Sequence, residues 1–188
     1  NRFMFLVDQV LIFPKNITVV PDNIYKDEPF VNAIIGLNIL KIGFRAFLNT
    51  NAQFVYLPKC ELLQIESFSN SLLVNIIAPN VQNISKGAFQ SCFSLQDCSF
   101  PNCKNVEDGE LGAFHSCKSI ANLDIGSGKI DKTNSMKSLK YIKGSFGDRE
   151  VETIQNDFHI KALHLGRIEQ ACQFMQAKMR ILKHMAKN

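Results

Sequence analysis

Six cysteines, at positions 60, 92, 98, 103, 117 and 172, are the residues best suited to redox or metal chemistry. Their spacing supports neither. There is no CxxC pair, and no Cys/His set has zinc-finger spacing. The run Ile125-Gly126-Ser127-Gly128-Lys129-Ile130 hints at a phosphate loop. That loop needs a Gly separated from Gly-Lys by four residues, and Ser or Thr after the Lys. Leu123 and Ile130 stand in those places, so the run reads as a turn. His115 and His164 are candidate bases by residue type, and neither has an arranged partner in the sequence. Asn16-Ile17-Thr18 and Asn83-Ile84-Ser85 match the glycosylation acceptor pattern, whose use requires secretion.

The 188 residues are 46% hydrophobic and 20% charged, a globular balance with enough chain for one sizeable core. The net charge of +4 is mild, and its Lys and Arg gather toward the C-terminus (Lys178, Arg180, Lys183, Lys187), which argues against a dedicated nucleic-acid binder. No apolar run is long enough to span a bilayer, so no membrane insertion is expected of this segment. The apolar start is broken by Asp8 and lacks a small-residue cleavage site, so it reads as structure rather than a signal peptide. A chain beginning on Asn1 is compatible with a fragment, so its start fixes no location.

The chemistry-bearing residues acquire an order once the chain is compared with itself. Ile84-Ser-Lys-Gly-Ala-Phe89 continues through Cys92, Leu95, Cys98 and Phe100 to Pro101. Gly112-Ala-Phe114 continues through Cys117, Ile120, Leu123 and Ile125 to Gly126. Earlier copies end at Pro79, Pro58, Leu37 and Pro14. The spacing between markers from 37 to 126 is 21 to 25 residues. After 126 two alignments stay open. In one, Met136, Leu139 and Tyr141 form the next triplet, followed by Ile160, Leu163 and Leu165. In the other, Ile142-Lys-Gly-Ser-Phe146 matches Ile84 to Phe89.

Val55-Tyr56-Leu57, Ile76-Ile77-Ala78, Cys98-Ser99-Phe100 and Leu123-Asp124-Ile125 alternate with period two, each a short strand with its first and third side chains inward. Stacked in parallel about 4.8 Å apart they make one long sheet, and the Pro after most of them marks where pairing stops. The other half of each coil adds inward Cys60, Val81 and Cys103, then Leu63, Ile84 and Val106. Phe47, Phe68, Phe89 and Phe114 follow as a ladder of rings, with Ile24 as its expected start. The cysteines become core positions. Cys60 and Cys103 are two coils apart, about 10 Å, too far for a disulfide. Cys92 and Cys117, on adjacent coils, are the one plausible bridge. From Ile168 to Ala186 the apolar spacing changes to that of a helix. It suits a cap over the last coil, or a linker to a further domain.

These residues resemble the BspA-type leucine-rich repeat, which repeats Ile-Gly-x-x-Ala-Phe-x-x-Cys-x-x-Leu-x-x-Val-x-Ile-Pro. The resemblance is strong over 42–126, fair over 10–41 and poor over 127–166. The shortened Ile65-Glu-Ser-Phe68, the insertion Glu107 to Gly112, and Thr50 and Ser71 in place of Cys depart from it. It implies a leucine-rich-repeat solenoid: a right-handed superhelix over 1–166 of seven or eight coils, degenerate at 127–154. Each coil would carry one short parallel strand and a mostly irregular convex side, and a capping helix would cover 167–188. The resemblance also implies a curved binding surface without catalytic residues. Members are often surface proteins of bacteria and parasitic protists, linked to adhesion to host or matrix proteins. That suggests a cell-surface or secreted location and leaves a cytoplasmic one open.

The expected interaction site is the outward strand position, which reads Ile12, Ile35, Tyr56, Ile77, then Ser99, Asp124, Lys140 and His164. Half of this row is apolar and half polar, and Phe54 would widen it. An exposed apolar row marks an interaction surface. The alternatives are that another segment covers it, or that the register is misassigned. The expected function is a non-enzymatic module, without cofactor or metal, that binds a protein partner through Ile35, Phe54, Tyr56, Ile77, Ser99 and Asp124, and binds neither nucleic acid nor a small-molecule substrate. The second reading is a structural spacer in a larger surface protein.

Overall fold

The computed structural model describes residues 6–107, 111–130, 136, 138 and 140–146. The expected capping helix, the coil ending near 165, His164 and Cys172 lie outside these residues.

Two parallel sheets run side by side along a β-solenoid of about six turns, with no helix among the described residues. The first is built from β1 (Leu6–Val7), β2 (Val10–Ile12), β4 (Ala33–Ile35), β6 (Phe54–Tyr56), β8 (Asn75–Ile77), β10 (Asp97–Ser99), β12 (Asn122–Ile130) and β13 (Tyr141–Phe146), in that spatial order. All its pairings are parallel except the β1–β2 hairpin, which turns through Asp8 and Gln9 at positive φ. The second sheet holds β3 (Val19–Val20), β5 (Lys41–Ile42), β7 (Leu62–Leu63), β9 (Asn83–Ile84) and β11 (Asn105–Val106). The row of Leu63, Ile84 and Val106 was legible as inward-facing. That its short segments pair into a sheet of their own, where turns were expected, was not. Two-residue strands have too little sequence to show a period.

The registers repeat without slippage. Leu11, Ile34, Val55, Ile76, Cys98 and Leu123 stand opposite one another and are buried. Proline then ends the pairing. Leu57 N–H still reaches Ile77 O at 3.0 Å, but Pro58 has no N–H to offer. The chain turns there, with Cys60 N donating to Leu57 O, Val81 N to Ala78 O, and Cys103 N to Phe100 O. Cys60, Val81 and Cys103 are fully buried behind these turns.

Past the second sheet, each coil passes two corners that bracket its ring. Asn23, Arg45, Glu66 and Gly87 take positive φ two residues ahead of the ring. Asp27, Asn49, Asn70, Ser91 and Ser116 take it two residues after. Asn, Asp and Gly reach this left-handed region at least cost. Arg45 and Glu66 hold it with longer side chains, joined by an Arg45 Nε to Glu66 Oε2 contact of 2.6 Å.

Between the corners the rings stack. Tyr25–Phe47, Phe47–Phe68, Phe68–Phe89 and Phe89–Phe114 lie 5.1–5.8 Å apart with interplanar angles of 3–11°. The column starts at Tyr25 rather than Ile24. Val20 pairs with Ile42, and Tyr25 follows Val20 by the same step that separates Phe47 from Ile42. Phe13 meets Tyr25 edge-on at 6.0 Å. Burying each ring is worth roughly 1.5–3 kcal/mol.

The register after residue 126 matches neither alignment. Ile142 pairs with Leu123 and Lys143 with Asp124. The triplet starting at Met136 is therefore three residues early, and Ile142 belongs to the first sheet rather than to the place of Ile84. Gly126 to Ile130, read as a turn, is the second half of the long strand β12. Gly126 adopts φ 56°, and a Cβ there would run into Pro101 O. Only Gly lets the strand pass so near that backbone.

Candidate interaction face

The outward face of the first sheet carries two rows, because residues two apart on a strand share a side. One row is Ile12, Ile35, Tyr56, Ile77, Ser99 and Asp124, and it continues to Lys143 rather than Lys140. The other is Val10, Ala33, Phe54, Asn75, Asp97 and Asn122. Phe54 opens β6 and lies on the same face as Tyr56, so the two aromatics form one patch.

Exposure divides this set. Phe54, Tyr56, Ser99 and Asp124 are half-buried. Ile35 is 3% exposed and Ile77 8%, so they back the surface rather than form it. The polar half is tied together. Asn122 Nδ2 donates to Asp97 Oδ1 at 2.6 Å. With the Asn75 amide turned so that its nitrogen faces Asp97, Asn75 Nδ2 donates to Oδ2 at 2.6 Å. Asp124 accepts from Gly126 N at 3.0 Å and lies 3.9 Å from Lys143 Nζ.

Sequence reasoning missed the most exposed apolar side chains. Phe30 is 61% exposed, Leu72 49% and Phe93 56%. They lie just ahead of β4, β8 and β10, along one edge of the first sheet. The signal was available for two of them: Phe30 and Leu72 directly precede inward Val31 and Leu73, at a place that the repeat leaves polar in Asn51 and Ser94, while Phe93 falls one residue earlier.

The residues that could do chemistry are used otherwise. Cys60, Cys92, Cys98, Cys103 and Cys117 are buried free thiols, so Cys92 and Cys117 are not bridged. Cys92 Sγ donates to Phe68 O at 3.0 Å. Burial pushes the Cys60 thiol up to about 12 and those of Cys92 and Cys103 up to about 11, and raises Cys98 and Cys117 as well. A thiol so raised stays protonated and unreactive near neutrality. No group of His, Cys, Asp or Glu among the described residues could hold a metal. Ser127 N donates to Cys103 O at 3.0 Å, and its hydroxyl accompanies it at 3.2 Å. A phosphate loop needs such N–H groups turned toward a ligand.

The family model for the BspA type leucine rich repeat region, in six copies, matches residues 40–161. The chain belongs to this family. No curated protein and no solved structure matches it. Membership in the BspA type repeats is consistent with an interaction or scaffold module. The repeat geometry extends beyond the match, since β2, β3 and β4 hold the registers of later coils. Among the described residues of this BspA type chain, no helix is long and apolar enough to cross a membrane.

Proposed function

We propose that the chain is a non-catalytic module that binds a protein partner through the outward face of the first sheet, with adhesion at a cell surface as its setting. The observation that supports this reading is the asymmetry of that face. Half-buried Ile12 and Tyr56, backed by buried Ile35 and Ile77, give way at Ser99 to a polar half organised by Asp97 and Asp124. Phe54 and Tyr56 are the anchors, because binding energy concentrates in a few aromatic contacts. Phe30, Leu72 and Phe93 add apolar surface along the entry edge.

The test is photo-crosslinking in the producing cells, with the reactive group at position 99, in the same outward row as Tyr56, or, on the other sheet, at position 83. The expected result is a discrete partner captured from 99 and not from 83, lost in a Phe54→Asp/Tyr56→Asp variant whose thermal unfolding is unchanged. Ile35 and Ile77 are unsuitable targets, since a charge at either would be buried. Equal capture from both positions, unaffected by the double variant, would overturn the assignment and leave the spacer reading.

A further inference from the structure

We infer that Asn16 is an acceptor for an N-linked glycan and that Asn83, which shares the triplet pattern, is not. Asn16 lies in the turn closed by Ile17 N donating to Pro14 O at 3.1 Å. Both Asn16 and Thr18 are exposed. No hydrogen bond among the described residues engages the Asn16 side chain. The pattern requires a hydroxyl two residues after the Asn. A turn lets an Asn side chain fold back toward the residue two places on. Thr18 O meanwhile accepts from Leu40 N at 2.7 Å, which fixes the backbone beneath the triplet.

Asn83 has the opposite surroundings. It begins β9, held between β7 and β11. Extended backbone separates it from Ser85 by two strand steps, about 6.6 Å. Its Oδ1 accepts from Asn105 Nδ2 at 2.7 Å, and Ser85 N donates to Leu63 O at 2.9 Å. A glycan there would break the amide pair and stand within the outward row of the second sheet.

The transfer joins Asn16 Nδ2 to the anomeric carbon of a lipid diphosphate-linked oligosaccharide. The C–N bond forms as the sugar–phosphate C–O bond breaks, the lipid diphosphate leaves with the bonding pair, and the amide gives up one proton to a base on the transferase. The glycan would stand on the connection from β2 to β3 and leave the outward face of the first sheet open. The inference shares secretion with the adhesion reading but uses none of its residues, so each can fail alone.

The experiment takes the full chain from cells that produce it. Enzymatic release of N-glycans in heavy-oxygen water converts a glycosylated Asn to an isotopically marked Asp, which peptide mass mapping then locates. The expected result is a mark at position 16 and none at 83. Asn16→Gln or Thr18→Val should abolish the whole electrophoretic shift seen on glycan release, and Asn83→Gln should leave it intact. An unmarked Asn16, or a mark at Asn83, would overturn the inference.

Discussion

Cys117 Sγ donates to Phe89 O at 2.9 Å, across the gap from one coil to the one before. Cys92 repeats the contact one coil earlier, to Phe68 O. The thiol at this place is a weak hydrogen-bond donor set among hydrophobes, where it behaves as a small apolar side chain. Ser71 and Thr50 occupy the same place in earlier coils. Thr50 Oγ1 donates to Phe47 O at 3.0 Å, and Ser71 Oγ lies 3.4 Å from Cys92 Sγ.

Stability should fall at high pH because of these buried thiols. Their pKa values are raised from the ordinary 9.0, to about 12 for Cys60 and about 11 for Cys92 and Cys103. The native state therefore holds protons that the unfolded chain releases. This contribution is complete below about pH 9 and is lost as pH rises toward about 11 to 12. Urea midpoints measured across that range should decline. Cys60→Val, which copies Val81 at the equivalent place, should make the decline shallower. An unchanged slope would remove Cys60 from the account.

Ser67 should be replaceable at a gain. It is fully buried, its Oγ has no hydrogen-bond partner, and Ala46, Ala88 and Ala113 hold the same place in other coils. Ser67→Ala removes an unsatisfied hydroxyl and should stabilise the fold by about 1 kcal/mol in urea unfolding. A loss of stability would mean that the hydroxyl has a partner such as a buried water.

Phe68 lies between two rings, 5.2 Å from Phe47 and 5.8 Å from Phe89. Phe68→Ala should cost about 3–5 kcal/mol in the same assay, because coils fixed by their hydrogen bonds cannot close over the space. Phe68→Leu should recover much of the loss.

Gly126→Ala should cost about 2–4 kcal/mol, from the positive φ together with overpacking against Pro101 O and Cys103 O. Gly128, which has no positive φ and would meet Val106 and Ile125 at 3.0 Å, should tolerate Ala better. Thermal unfolding of the two variants should rank them in that order.

The core was legible because its periods are strict. Inward positions such as Val55, Leu57, Ile76 and Ala78 follow from alternation and from the Pro that closes each strand. What could not be read had no local signature. Tyr25 displaces Ile24 because the strand register places it under Phe47, and both residues are apolar enough to serve. The path after Gly126 depends on a strand that continues past its expected end, held by Ser127 on Cys103, a contact between residues far apart in sequence. On the candidate face, the change from apolar to polar at Ser99 was visible in the sequence. The burial of Ile35 and Ile77 was not, because alternation gives the side of a sheet and not what shields it.

Because each coil meets its neighbours through the same pairings, the unit can be lost whole. Deletion of residues 64–84 would join Leu63 to Ser85 and set Phe47 against Phe89, with each strand left beside an equivalent backbone. Ile77 would go with the excised turn, so Tyr56 would meet Ser99 directly. In a gene that gains and loses repeats, length and surface character would thus change in single steps without a new folding problem to solve.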